Sequence, residues 1–135
     1  LVQGRTEFIE KYFETIADFR RRGFSVATFD WRGQGGSDRL IGNRKLGYVD
    51  RFEDYWTDLH SFHGQILLPD CPPPFYLVGH SMGGLITRGA LQGAQAKESG
   101  FSQPLLVEDS VTFAAPFQGA DLALIGLGQN SVETV

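Results

Sequence analysis

The amino-acid sequence predicts an α/β protein in which a parallel β-sheet is covered by helices on both faces. Three observations support this fold class. Segments with helical spacing alternate with short apolar runs, the helical segments carry their apolar residues on one face, and stretches rich in glycine or proline separate them. With 135 residues, of which 41% are hydrophobic and 21% charged, the chain has room for one core.

The first predicted helix spans residues 6–22 and ends at a glycine. Its apolar residues recur at steps of three and four, with charged residues between them. They are Phe8, Ile9, Tyr12, Phe13, Ile16 and Phe19. Gly23 is expected to take the left-handed conformation that commonly ends a helix. The apolar run 24–29 that follows is predicted to be a strand.

A glycine-rich loop and a second helix come next. Residues 30–47 contain five glycines and are predicted to form a loop. Between 52 and 68, large residues again follow helical spacing, and the prolines at 69 and 72–74 are expected to close this helix. The large residues are Phe52, Tyr55, Trp56, Leu59, Phe62, His63, Ile66 and Leu67. We expect the aromatic face of this helix to lie on the sheet.

The last elements place a serine between a strand and a helix. The apolar run 75–78 is predicted to be a strand, and residues 85–96 have the composition of a helix. A final strand is predicted at 110–115 and is ended by Pro116. The remainder, 117–135, is rich in glycine and has no clear periodicity.

Charge and composition exclude several classes of function. The formal net charge is -4 and the one basic run, 20–22, suits the negative end of the first helix, which argues against a nucleic-acid partner. Cys71 is the only cysteine and has no metal-ligand spacing around it, so no disulfide, metal site or cofactor is expected. A lone cysteine fits the reducing cytoplasm, and no run approaches the roughly 18 apolar residues of a membrane span.

The strongest chemical signal is Ser81 in Gly79-His80-Ser81-Met82-Gly83. Glycines two residues before and after a serine permit a tight strand-to-helix turn, the nucleophile elbow, which exposes the hydroxyl at the carboxyl end of the strand. A serine nucleophile needs a base and donors for the developing oxyanion. The backbone N–H of Met82, at the start of the helix, is predicted to be one donor. The alternative, a serine that merely ends a glycine-rich turn, is disfavoured by the strand and helix around it.

Two further motifs accompany residues 79–83. Residues 30–37 read D-W-R-G-Q-G-G-S, and residues 4–8 read G-R-T-E-F. In this order and spacing the three segments resemble the α/β-hydrolase superfamily, and within it the lysophospholipase and monoacylglycerol-lipase type. The resemblance is strongest over residues 1–91 and implies a partial α/β-hydrolase fold. Because the sequence starts with leucine and residues 1–4 read like the end of a buried strand, we expect residues 1–135 to be the N-terminal part of such a domain, incomplete at both ends.

The resemblance also implies a second oxyanion donor, the backbone N–H of Arg5. Gln3 stands where the family commonly has histidine, which changes the support of the loop and leaves the main-chain donor in place. The same residues can be read as a helix start, with Thr6 as N-cap and Glu7 in the first turn. The two interpretations are compatible.

No residue of the sequence is an evident base for Ser81. A triad needs a histidine near the serine and a carboxylate behind it, and in this family the order is serine, acid, histidine. No histidine follows Ser81. Upstream, we expect a packing role for His80, a buried and hydrogen-bonded position for His63, and a solvent-facing one for His60.

The aspartates are equally poor candidates for the acid of a triad. Asp30 directly ends a predicted strand, but in the resembling family the loop that contains Asp30, Arg32 and Ser37 braces the edge of the sheet, and we expect this structural role. Asp109 precedes the last strand, and Asp121 follows it where the family begins its lid. The resemblance implies that acid and histidine lie on strands further downstream.

The function implied by the resemblance is hydrolysis of a carboxylic ester through an acyl-Ser81 intermediate. The substrate would be a small lipid or ester, such as a lysophospholipid or a monoacylglycerol, reached through transient contact with a lipid surface. A peptidase, a thioesterase or an acyltransferase is an alternative, since the fold does not fix the acyl acceptor. An inactive fragment, or a non-catalytic binding protein of this fold, is another, and the missing histidine favours it.

Overall fold

The computed structural model of the chain describes residues 1–96 and 105–115. The helices are α1 (Phe13–Arg21), α2 (Asp54–Phe62), α3 (Leu68–Asp70) and α4 (Met82–Ala96), and the strands are β1 (Tyr76–His80) and β2 (Asp109–Phe113). None of the helices in this part of the chain has the length and apolar character needed to cross a membrane. The predictions made for Pro116 and for residues 117–135 lie outside the described residues.

The strands β1 and β2 pair in parallel, as the alternation of elements predicts. On the other side of β1, the Val2 N–H donates to Val78 O at 2.8 Å, and Val2 O accepts the His80 N–H at 3.0 Å. On the β2 side, the Ser81 N–H donates to Phe113 O at 2.8 Å. The backbone N–H and C=O groups of alternate residues in a strand point toward opposite neighbouring strands. β1 therefore lies between the Val2 segment and β2.

The prediction of a strand at residues 24–29 is wrong. In the described part of the chain, one backbone hydrogen bond joins this segment to the Val2 segment, from the Leu1 amino group to Ala27 O at 2.9 Å. A single bond does not make a ladder. The segment is instead held by ring contacts at its end, where Phe29 lies 4.7 Å from Trp31 and 4.5 Å from Phe62 between ring centroids.

The first helix begins later than the sequence predicts. A 3₁₀ turn at Ile9–Tyr12 leads into α1, and Gly23, with a φ of 91°, ends the helix as expected. Thr6 is not the N-cap, because its φ of 59° lies outside the conformation of a cap residue. Its N–H donates to Gln34 Oε1 at 2.7 Å. The first N–H of the 3₁₀ turn, that of Ile9, donates to Asp30 Oδ1 at 2.9 Å, so a side chain distant in sequence takes the place of a local cap.

The second predicted helix contains a wider turn. From α2 the chain continues through a π-helical turn at His63–Leu67 into α3, which ends at Asp70. Pro69 lies two residues beyond the end of this turn, and in a regular α-helix its ring would clash with the carbonyl of Gln65. We attribute the wider turn to that clash. The helix therefore passes Pro69, and the prolines at 72–74 follow its end as predicted.

The core lies where α2 and α4 meet the segment 29–31. Trp31 and Ile86 have no exposed surface, and Tyr55 packs edge-on against Trp31 with ring centroids 5.4 Å apart. Gly89 of α4 allows the close approach of α2, since a Cβ there would stand 2.6 Å from the ring of Trp56. The aromatic face of α2 thus packs on α4 and on segment 29–31. It was predicted to lie on the sheet, but among the described residues the backbone of α2 does not come close to β1 or β2.

Asp30 ties three segments together at the start of the glycine-rich loop. Its carboxylate accepts hydrogen bonds from Gln3 Nε2 at 2.8 Å, the Ile9 N–H at 2.9 Å and the Gly36 N–H at 2.8 Å. The Ser37 hydroxyl donates to the Asp30 carbonyl at 2.5 Å. The structural role expected for Asp30 and Ser37 is therefore observed.

Two arginines fix the rest of this loop. Arg32 Nε donates to Asp58 of α2 at 2.7 Å, which anchors the loop to the helix. Arg39 donates to four loop carbonyls, those of Gln34 at 2.9 Å, Gly35 at 3.0 Å, Ser37 at 2.5 Å and Arg44 at 3.3 Å. Bonds to charged groups are stronger than neutral ones, so the loop offers a firm support to its neighbours.

Candidate active site

Ser81 occupies the turn between β1 and α4. Its φ is 52°, in the left-handed region that residues with a side chain rarely adopt. The Ser81 carbonyl accepts the Gly84 N–H at 3.0 Å in the first turn of α4. The predicted order of strand, turn and helix is therefore observed, with the serine at the carboxyl end of β1.

Two glycines let other backbone segments lie directly against this turn. A Cβ on Gly83 would stand 2.5 Å from Val2 O and 2.7 Å from Gln3 O. A Cβ on Gly4 would stand 2.9 Å from Ser81 Cβ. Real Cβ atoms do not approach so closely, so glycine is required at both positions. The loop that follows Val2 is thus in contact with Ser81.

Two backbone N–H groups beside Ser81 have no hydrogen-bond partner within residues 1–96 and 105–115. One belongs to Met82, the first residue of α4, where a helix has no acceptor of its own. The other belongs to Arg5, which follows Gly4 in the loop against the serine. These are the two groups predicted as oxyanion donors, and that role stays a prediction.

The loop 3–6 is held in place by buried side chains. Gln3 has no exposed surface, and its carbonyl accepts the Trp31 Nε1–H at 2.8 Å. Gln34 donates from Nε2 to Gly4 O at 3.1 Å and accepts the Thr6 N–H at Oε1. The Gln3 carbonyl and the Gln34 side chain therefore both hold this loop in place.

Glu7 gathers four donors on the other side of the loop. Its Oε2 accepts the Gly4 N–H at 2.6 Å, the Tyr12 hydroxyl at 2.6 Å and the His80 Nδ1–H at 3.0 Å, and its Oε1 accepts Lys11 Nζ at 3.0 Å. Burial alone would raise the pKa of Glu7, but the bonds from Tyr12, His80, Gly4 and Lys11 outweigh it and lower the pKa to about 2. Burial and the Glu7 charge raise the pKa of Tyr12.

We expect Glu7→Gln to lower the free energy of unfolding at neutral pH by about 2 kcal/mol, because it removes a charged acceptor of four bonds. The depressed pKa makes this contribution fully present above the ordinary value of 4.5 and lost as the pH falls through about 2. Urea unfolding at pH 7 and near pH 2.5 measures it. The difference between Glu7→Gln and wild type should shrink at the lower pH.

Glu10→Gln, at an exposed glutamate on the same stretch of chain, is the matched control and should change stability little at either pH. If Glu7→Gln lowered the free energy of unfolding as much near pH 2.5 as at pH 7, the negative charge of Glu7 would not be the source of the stabilisation.

The histidines occupy three different settings. His80 bonds to Glu7 and Tyr12 and is 37% exposed in its side chain, so its role is polar rather than one of packing. His63 is buried and its Nε2 accepts the Leu106 N–H at 3.3 Å, as predicted. His60 is half-buried, with a pKa lowered first by burial and then by His63, so the prediction of a solvent-facing side chain is wrong.

Of the two described aspartates weighed as an orienting acid, one is engaged elsewhere and the other is exposed. The Asp30 carboxylate is occupied by its three donors, and Asp109 is the exposed first residue of β2. Asp121 lies outside the described residues. Residues 1–96 and 105–115 also hold no group of His, Cys, Asp or Glu side chains that could bind a metal ion.

Sequence reasoning missed two residues that shape this site. The sequence presents Glu7 as a first-turn acid of a helix and one letter of the motif at 4–8, and Gln34 as one letter of a loop motif. Both side chains bond to the backbone of loop 3–6. Glu7 reaches Gly4 across a turn, and Gln34 reaches it from another segment of the chain. A polar side chain between two glycines, as in Gly33-Gln34-Gly35, was the only signal available for Gln34.

Comparison with known proteins covers all three motifs. Residues 1–117 match the family model described as serine aminopeptidase, S33. Lysophospholipase L2 of Escherichia coli (strain K12) is 44% identical over 89 residues, 66% of this chain and 26% of that protein. A Haemophilus influenzae protein named "Probable lysophospholipase L2" is 37% identical over 86 residues, 64% of this chain and 27% of that protein.

A more distant relative is phospholipase YtpA of Bacillus subtilis (strain 168), which is 29% identical over 86 residues, 64% of this chain and 30% of that protein. The chain thus spans about a quarter of the length of the curated relatives it matches, 26% in the first case. No solved structure matches the chain.

Proposed function

Because the chain belongs to the serine aminopeptidase S33 family of α/β-hydrolases, we propose that its complete protein hydrolyses a carboxylic ester of a small lipid through an acyl intermediate on Ser81. The observation that carries the proposal is the position of Ser81. It lies in a left-handed turn between β1 and α4, against a loop whose Arg5 N–H has no partner in the described part of the chain.

In the proposed mechanism, Ser81 Oγ attacks the carbonyl carbon of the ester while its proton passes to a base. The carbonyl oxygen becomes an oxyanion, which the N–H groups of Arg5 and Met82 stabilise. The bond to the leaving alcohol then breaks, the base returns the proton to that alcohol, and acyl-Ser81 remains. Water attacks the acyl carbonyl by the same route and releases the fatty acid and the free serine.

The base and its orienting acid are proposed to come from a part of the complete protein that follows these residues. No histidine follows Ser81 in the 135 residues, and His80 is engaged by Glu7 and Tyr12. The chain, proposed as the N-terminal part of the hydrolase domain, spans 26% of the matched Escherichia coli protein. Its own contribution is the nucleophile and both oxyanion donors.

The proposed substrate is a monoacyl lipid, either a lysophospholipid or a monoacylglycerol. Its support is that two matched relatives are named lysophospholipase L2 and a third is named a phospholipase. We propose that the substrate is reached through transient contact with a lipid surface. A cytoplasmic location is part of the same proposal and rests on the lone Cys71.

A second candidate is a peptidase, which the name of the family, serine aminopeptidase S33, favours. An amide needs the same nucleophile and the same oxyanion donors as an ester, so the residues around Ser81 do not separate the two reactions. A thioesterase and an acyltransferase share this ambiguity. A non-catalytic binding protein would keep the fold and leave Ser81 without a base.

A panel of substrates separates these candidates. We expect the complete protein to hydrolyse lysophosphatidylcholine or a monoacylglycerol with a kcat/KM about 10²-fold or more above that for two other substrates. These are an aminoacyl anilide, and an acyl thioester whose acyl chain has the same length as that of the lipid. Release of fatty acid, amine or thiol measures each reaction. Preference for the anilide would establish the peptidase instead, and no turnover of any substrate by a folded protein would favour the binding protein.

A further inference from the structure

Three consecutive peptide groups form the loop beside Ser81, and their hydrogen bonds differ. In the first, Gln3 O accepts Trp31 Nε1–H and the Gly4 N–H donates to Glu7. In the second, Gly4 O accepts from Gln34 Nε2 at 3.1 Å, whereas the Arg5 N–H has no partner within residues 1–96 and 105–115.

In the third peptide group the Thr6 N–H donates to Gln34 Oε1 at 2.7 Å. The amide of Gln34 therefore spans the Arg5 N–H, with one bond on the carbonyl before it and one on the N–H after it. A peptide group is planar and trans, so its N–H points opposite to its C=O. The bond from Gln34 to Gly4 O consequently fixes the direction of the Arg5 N–H.

Gln34 is itself held firmly enough to impose this direction. It is 4% exposed, its N–H donates to Trp31 O at 3.0 Å, and its carbonyl accepts from Arg39 at 2.9 Å. Only one orientation of its side-chain amide satisfies both neighbours, because Gly4 O needs a donor and the Thr6 N–H needs an acceptor. The flanking glycines, Gly33 and Gly35, have φ values of 80° and 47°, in the left-handed region that glycine adopts most readily.

We propose that Gln34 is a positioning residue of the active site, which holds the Arg5 N–H in the direction of the oxyanion by clamping Gly4 O and the Thr6 N–H. This inference rests on the proposed function, in which the Arg5 N–H is an oxyanion donor. Gln34 itself touches no reacting atom. Its effect on the reaction passes through the orientation of one peptide plane, and misplacement of such a donor is costly because transition-state charge is stabilised only at the right geometry.

Two variants of the complete protein test this role. Gln34→Met keeps the length of the side chain and removes both bonds. Gln34→Glu keeps an acceptor for the Thr6 N–H and turns the donor that faces Gly4 O into a repelling oxygen. For both variants we expect kcat on the ester substrate to fall roughly 10- to 100-fold while KM changes less than about two-fold, since the oxyanion forms only after the substrate has bound.

An alkyl trifluoromethyl ketone gives a readout that a purely structural role would not move. The ketone forms a tetrahedral adduct with a serine, and its oxyanion should depend on the same donors. Its inhibition constant should rise in each Gln34 variant by about the factor by which kcat/KM falls. Ser37→Ala is the matched control, because it removes a brace of the same loop, the bond to Asp30 O, without touching loop 3–6. We expect it to lower the melting temperature and leave kcat per folded molecule unchanged.

The outcomes separate this inference from the proposed function. If wild type hydrolyses the ester and needs Ser81, but the folded Gln34 variants keep the wild-type kcat and ketone affinity, Gln34 has no positioning role and the proposed function stands. If Ser37→Ala loses as much kcat per folded molecule as the Gln34 variants, the effect belongs to the loop as a whole and the inference is wrong. If one Gln34 variant does not fold, the other decides, and an inactive wild type overturns both proposals.

Discussion

Replacing Ser81 with alanine is expected to lower kcat/KM for ester hydrolysis by the complete protein about 10⁴-fold or more. Alanine has no hydroxyl, so the acyl intermediate cannot form. The free energy of unfolding should change by less than about 0.5 kcal/mol, because a φ of 52° is unfavourable for serine and alanine alike. Steady-state kinetics and urea unfolding of the same preparation measure the two quantities.

The control for this experiment is Ser61→Ala, which removes an exposed serine hydroxyl from α2. It should leave kcat/KM and stability unchanged. If Ser81→Ala retained a tenth or more of the wild-type rate while Ser61→Ala behaved as expected, Ser81 would not be the nucleophile.

Replacing Gly83 with alanine is expected to lower the free energy of unfolding by about 3 kcal/mol and to abolish activity in the molecules that remain folded. The added Cβ would stand 2.5 Å from Val2 O and 2.7 Å from Gln3 O. Neither carbonyl is free to move, because Val2 O accepts the His80 N–H and Gln3 O accepts Trp31 Nε1–H. Any shift that relieves the clash also displaces loop 3–6, which contains one of the proposed donors.

Gly64→Ala supplies the comparison, since a Cβ at Gly64 meets no atom within 4 Å and the residue lies in a helical turn. Alanine should stabilise that site by a few tenths of a kcal/mol to about 1 kcal/mol. Urea unfolding of both variants tests the account. A Gly83→Ala protein as stable as Gly64→Ala would show that α4 does not approach the Val2 segment as described.

The strand, turn and helix around Ser81 could be predicted because the signals there are local. An apolar run, two flanking glycines and a helix-forming segment act within a few residues of one another. The start of the first helix could not be predicted in this way. The N–H groups of Thr6 and Ile9 find their acceptors in the side chains of Gln34 and Asp30, which no local pattern around residues 6–9 indicates.

The predicted strand at 24–29 failed for a related reason. Its composition favours a strand, but a strand also needs a neighbour with which to form a ladder, and in the described chain one backbone bond joins it to the Val2 segment, at Ala27. Propensity describes the segment alone, whereas pairing is a property of two segments.

The nucleophile of the site could be predicted from the sequence more readily than the hydrogen bonds that hold the loop beside it. Ser81 and Met82 follow from the local pattern, and Arg5 from resemblance to a family. The bonds that orient the Arg5 loop join residues that are 30 and 28 positions apart in sequence, from Gln34 to Gly4 and to Thr6. Such contacts depend on how the loop at 30–37 folds back on the start of the chain.

The most direct test of the central claim is to treat the complete protein with a fluorophosphonate and to locate the modified residue by mass spectrometry. We expect stoichiometric modification of the peptide that contains Ser81, with none in Ser81→Ala and unchanged labelling in Ser61→Ala, because only an activated serine displaces fluoride from the reagent. A folded protein that remains unlabelled, or that is labelled at another serine, would contradict the assignment of Ser81 as the nucleophile.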